Sequence, residues 1–142
     1  MSARRLLDRP TVGSLTVPFM VDAARRPIDF KQLDAAHVER CAKHHRCGVC
    51  GRRIAYGKPI AFIGPADGRT CFADPWMHPE CAAMAVAQCP FLRGTRDWRD
   101  ATAVDDPLLA GYRPGALVTY LAADSRAHRD RSGAWHFERV VQ

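Results

Sequence analysis

Two short clusters of ligand-type residues constrain this chain more than anything else in it. One is Cys47-Gly48-Val49-Cys50-Gly51 and the other is Met77-His78-Pro79-Glu80-Cys81, so Cys-x2-Cys and His-x2-Cys are separated by 27 residues. Four soft or borderline ligands in two tight pairs are what a closed tetrahedral zinc site requires. In the first pair a tight turn aims both sulfurs at one point. Gly48 and Gly51 supply backbone freedom and let amides approach the sulfurs, while Arg46, Arg52 and Arg53 favour the thiolate form. In the second pair Pro79 suits the first position of a helix, where its missing N–H would be unpaired anyway. His78 then caps the helix and Cys81 lies three residues on, on the same face. Residues Ala82 to Ala87 are mostly strong helix formers, and Pro90 ends the run.

These pairs, with a hairpin between them, predict a treble-clef module of knuckle, β-hairpin and helix. It would hold one structural Zn2+ on Cys47, Cys50, His78 and Cys81. Ordinary buried thiols and a disulfide framework are the competing readings. The paired spacing speaks against the first; the His within the second pair speaks against the second, as do Arg4-Arg5, which lead only into Leu6-Leu7 rather than into the apolar core of a signal peptide. A catalytic zinc is disfavoured because four protein ligands leave no position for water or substrate.

The 142 residues carry a net charge of +6 and a pI near 9.3, which suits contact with nucleic acid or another polyanion. Of the 21 basic residues 18 are Arg, and Asp outnumbers Glu 12 to 3. That skew resembles the codon bias of a GC-rich genome, so part of the arginine is compositional. No apolar run reaches the roughly 18–20 residues needed to span a bilayer. Six cysteines without an export signal point to a reducing, cytoplasmic setting and no membrane partner.

The expected organisation is a flexible N-terminus over 1–14, a zinc-binding core over 15–92, a linker or exposed segment over 93–114 and a C-terminal β-hairpin over 115–142. The class is α+β. Leu15 to Val21 reads as a strand partnered by Ile28 to Phe30, with Pro18 making it an edge or a bulge. Asp34 N-caps a helix, and Leu33 and Val38 are spaced as a hydrophobic staple. Val38, Cys41, Ala42 and His45 share the inward face, and Lys43 to Arg46 bring positive charge to the C-terminal end. From Ile54 to Ala73 a hairpin is predicted, with strand Pro59 to Gly64, turn Pro65-Ala66-Asp67-Gly68 and return Arg69 to Ala73. Trp76 and Phe72 are expected to shield the metal. Ala116 to Leu121 and Ala134 to Val141 are expected to pair across a turn over Asp124 to Gly133.

Outside the four ligands, Cys41 and Cys89 read as core thiols, and Cys71 as the substitute ligand should His78 not bind. Arg93, Arg96, Arg99, Arg126, Arg129 and Arg131 are candidate phosphate contacts, with Trp98 or Trp135 stacking on bases. A His-Asn-His nuclease also builds on a treble clef, but Arg69 to Ala73 contains no His and the helix offers only Glu80 and Gln88. The leading functional expectation is therefore a non-enzymatic module that binds a protein partner. Binding of DNA or RNA is the alternative, and a metal-dependent nuclease the remote one.

Cys47 to Ile54 and Trp76 to Cys81 resemble the first half of a LIM module. The spacer is longer here and no second Cys-x2-Cys follows, so only the zinc geometry is implied. The chain also resembles a family of small, functionally uncharacterised treble-clef zinc proteins of GC-rich bacteria and their phages. That resemblance rests on Val17-Pro18-Phe19, Asp29-Phe30, Cys47-x2-Cys50-Gly51, Ala61 to Pro65, His78-x-Glu80-Cys81-Ala82 and Cys89-Pro90-Phe91-Leu92, across roughly residues 15–92. It implies Cys47, Cys50, His78 and Cys81 as zinc ligands and Cys89 to Leu92 as a packing feature.

Overall fold

Asp34 starts the first helix as its spacing predicts. Its backbone is extended and its carboxylate accepts from the N–H groups of Ala36 and His37 at 3.0 and 3.2 Å, satisfying two of the donors that a helix leaves open at its start. The helix, α1, spans Ala35–His44 and buries Val38 and Cys41. His45 closes it in the left-handed region at φ 52°, donating its N–H to the Cys41 carbonyl. A second helix, α2, spans Pro79–Gln88 and buries Cys81 and Ala82.

The protein is described by a computed structural model that covers residues 9–12, 15–24, 27–29, 32–88 and 117–141. Its strands are β1 Thr11–Val12, β2 Leu15–Thr16, β3 Ile60–Pro65, β4 Cys71–Phe72, β5 Leu117–Ala122, β6 Ser125–Arg129 and β7 Trp135–Arg139. All pairing is antiparallel, and the expected α+β class holds. No described helix is long and apolar enough to cross a membrane.

The partners differ from those the sequence predicts. β3 and β4 do not form a hairpin with each other. β3 pairs along its whole length with β5, from Ile60 opposite Ala122 to Pro65 opposite Leu117. β4 joins a second sheet in the order β4-β7-β6. A two-residue strand could pair with few of β3's residues, whereas the six-residue β5 pairs with all six. The C-terminal hairpin is likewise β6 with β7, not β5 with β7. The residues expected to be its turn contain β6, and only Asp130 to Ala134 bend, with Asp130 N–H bonded to the Ala134 carbonyl at 2.9 Å. At the N-terminus β1 pairs with β2, and Val21 bridges Leu33 rather than the Ile28 to Phe30 segment.

The β3-β5 and β4-β7-β6 sheets and the two helices close over one core. Phe62, Phe137, Ile54 and Ile60 are its largest fully buried side chains. Phe62 stacks on Phe72 at 4.8 Å, and Phe137 meets Trp76 edge-on at 4.9 Å. Phe137 lies on β7, so the C-terminal strands complete the core that the knuckle and helices begin. α2 packs on β3, and α1 on β6 and β7. Tyr120 ties the turn after β3 to β5: its hydroxyl accepts from Gly68 N–H at 3.0 Å and donates to the Pro65 carbonyl.

Candidate metal centre

The knuckle is a tight turn held by its own backbone. Gly51 N–H donates to the Cys47 carbonyl at 2.9 Å, and Cys47 N–H to the Arg52 carbonyl at 2.8 Å. Gly51 has φ +76°, and a Cβ there would stand 2.6 Å from the Phe19 ring. Gly48 serves differently. Its φ is ordinary, but a Cβ would meet Pro75 at 3.0 Å. The amides that reach the sulfurs belong to neither glycine. Val49 N–H donates to Cys47 Sγ at 3.4 Å, and Arg52 N–H to Cys50 Sγ at 3.4 Å. A third, from His78, reaches Cys47 Sγ at 3.3 Å.

The second pair is delivered by β3. Ala61 and Met77 form an isolated bridge, with Ala61 N–H bonded to the Met77 carbonyl at 2.9 Å and Met77 N–H to the Ala61 carbonyl at 3.0 Å. Gly48 N–H donates to the Trp76 carbonyl at 2.9 Å, binding the same segment to the knuckle. His78 then precedes α2, whose first turn carries Cys81.

These constraints bring Cys47, Cys50, His78 and Cys81 together, all buried, with their ligand atoms within 4.8 Å of one another. His78 turns Nδ1 toward the sulfurs, 3.4 Å from Cys50 Sγ and 3.8 Å from Cys81 Sγ. A sulfur and a nitrogen bound to one tetrahedral zinc stand about 3.6 Å apart, given bond lengths near 2.3 and 2.1 Å. The donor set and spacing therefore fit such an ion. A metal there would neutralise the buried thiolates and tie the knuckle to α2.

The protonation of the cluster shows the same demand for positive charge. Hydrogen bonds from Cys47 and Cys81, then from His78 and the Arg52 amide, hold the Cys50 thiol far below its ordinary value against the opposing effect of burial. The shared hydrogen bonds with Cys47 and Cys50, with burial added, push Cys81 the other way. Burial works to lower His78, but the Cys47 and Cys50 sulfurs outweigh it and push the imidazole up to about 9. Binding of a divalent ion by these groups would release protons.

The wall of the site comes partly from residues whose role the sequence does not announce. Phe19 and Met20 N–H groups donate to the Val49 and Gly48 carbonyls, each at 2.8 Å, laying the segment before α1 across the knuckle. Phe19 also stacks on His37 at 4.1 Å. Trp76 is buried beside His45 and Phe137, and its indole N–H has no hydrogen-bond partner among the described residues. Phe72 lies against Phe62 and Tyr120. Cys41 is a core thiol, pushed up to about 12 by burial and then by Cys47. Cys71 is exposed on β4 and is not one of the buried four.

The candidate phosphate contacts divide. Arg93, Arg96 and Arg99, with Trp98 and Cys89, fall outside the described residues. Arg126 is paired with Glu138 at 2.8 Å, and Arg129 with Glu39 while its guanidinium also lies over the Trp135 ring. Arg131 is exposed on the β6–β7 turn. A more concentrated basic surface lies elsewhere. Lys43, His44, Arg46, Arg53 and Tyr56 line an open hollow of about 370 Å³ at the C-terminal end of α1. No family model, curated protein or solved structure matches the chain.

Proposed function

We propose that the chain is a non-enzymatic module whose fold is stabilised by one zinc ion and whose surface engages a protein partner. The reading rests on the closure of the site: three buried cysteines and one buried histidine converge, using all four tetrahedral positions. This agrees with the resemblance to small treble-clef zinc proteins. Strand β5 offers the surface. Among the described residues its second edge has no strand, and Val118 and Leu121 are exposed on its two faces. An extended partner segment would add there by backbone hydrogen bonds, with the apolar side chains setting specificity. The test is cross-linking in cells with the wild-type chain and a folded Leu121→Lys variant. A partner held by the first and lost by the second supports the reading. Equal capture by both overturns the β5 surface.

A second reading, DNA or RNA binding, draws support from the basic hollow rather than from the paired Arg126 and Arg129. It predicts binding to labelled oligonucleotides that falls steeply between about 50 and 200 mM salt and weakens in an Arg53→Ala variant. Absence of binding at the lower salt would remove it.

A further inference from the structure

The outward face of the β4-β7-β6 sheet gathers a second set of ligand-type residues. His128 and His136 are directly opposed across β6 and β7, and Cys71 on β4 is opposite Glu138, two residues along β7 from His136. Strand alternation puts all of them on one face, away from Phe72 and Phe137. The sulfur of Cys71 and one nitrogen of each histidine lie within 4.8 Å of one another. Cysteine and histidine suit the same borderline and soft ions as the buried site.

A supporting group is already in place. Asp130 is fixed by the β6–β7 turn: one carboxylate oxygen accepts from Ser132 N–H and hydroxyl at 2.9 and 2.6 Å, and from Ala134 N–H at 3.1 Å. The other oxygen is 2.7 Å from His136 Nε2. A carboxylate on one imidazole nitrogen fixes the tautomer and leaves the other nitrogen's lone pair for a metal, the usual arrangement behind ligating histidines. The histidine rings are stacked at 5.2 Å and 16°, so their nitrogen lone pairs lie in nearly parallel planes. Turning each ring about its Cβ–Cγ bond, a broad torsion, would aim them at a common point beside Cys71. His128 is exposed and His136 half-buried, so space for that turn exists.

We propose that Cys71, His128 and His136 form a second, surface zinc site, with Asp130 orienting His136 and the fourth position open to water. Unlike the buried centre it lies on strands that are already paired with one another, and it is exchangeable. The two sites share no residue, so one can exist without the other.

The test is native mass spectrometry of the full chain at controlled free zinc, combined with cobalt substitution. The wild type is expected to take two ions. The second should be lost in Cys71→Ser and His128→Ala, both exposed positions that leave the core intact. It should weaken about 10–100-fold in Asp130→Asn. The second cobalt equivalent should show thiolate charge-transfer absorption that Cys71→Ser abolishes. A wild type that stops at one ion overturns this proposal and leaves the buried site standing, as does a second ion unaffected by these variants. A chain that takes no ion at all overturns both.

Discussion

Ala61 and Met77 each donate a backbone hydrogen bond to the other, across a bridge that belongs to neither sheet. The residue after Met77 is His78, so this exchange sets where the second ligand pair meets the knuckle. Met77→Pro removes one donor and leaves the buried Ala61 carbonyl unpaired. The expected loss is about 1–3 kcal/mol, accompanied by weaker metal binding. Met77→Leu keeps the backbone and nearly the volume and should cost less than about 1.5 kcal/mol. Urea denaturation and a metal competition assay measure both, and equal effects from the two variants would refute the assignment.

Removing one ligand should be far more damaging than removing a buried thiol. Cys50→Ser and Cys81→Ser are expected to lose zinc and unfold the segment from Cys47 to Cys81, and chelation of the wild type to do the same. Circular dichroism with metal analysis reads both. Retention of the native spectrum after chelation would show that the core stands without the ion.

Gly51 and Gly57 provide a matched comparison. Both have positive φ, at 76° and 82°, but a Cβ at Gly51 would strike Phe19 while one at Gly57 would meet open space. Gly57→Ala should cost only the backbone strain, about 1–2 kcal/mol. Gly51→Ala should cost clearly more, because Phe19 must move off the knuckle. Equal midpoints in denaturant would show that Phe19 yields freely.

Cys41 gives a pH dependence with a definite sign. Its thiol is raised from 9.0 to about 12 by burial and then by Cys47. The folded state therefore keeps a proton that the unfolded chain gives up from about pH 9. The stability from this group is complete below pH 9 and declines as pH rises toward 12. Cys41→Ala should flatten that part of the profile. At pH 8, with the surface cluster left without metal, the wild-type Cys41 thiol should resist iodoacetamide while exposed Cys71 reacts, as peptide mapping would show.

Local chemistry was legible in the sequence wherever a few adjacent residues determine the outcome. Asp34 as a cap, Pro79 at a helix start and the convergence of Cys47, Cys50, His78 and Cys81 all follow from spacing. Strand partners were not, because pairing depends on which distant strand best completes a ladder. β6 was hidden for another reason. Arg126 and His128 face water while Ser125 and Ala127 turn inward, so its inner face carries too little apolar signal to distinguish it from a loop. The second Cys/His cluster went unread with it, since His128 and His136 meet only once β6 and β7 are paired.

The pairing of β3 with β5 also affects how the chain reaches this structure. The partners of β3 lie 52 to 62 positions further along, whereas the buried ligands span 34. Loop length alone separates these closures by only about 0.5 kcal/mol. An ion bound by the four would decide the order, because coordination would reward the shorter closure at once while the sheet waits for a long-range encounter. Without such an ion that lead would disappear, and Ile60 to Pro65 would stay an unpaired apolar edge for longer. Metal supply would then act on this protein first through its yield of soluble chains, by exposing a strand that neighbouring molecules can pair with.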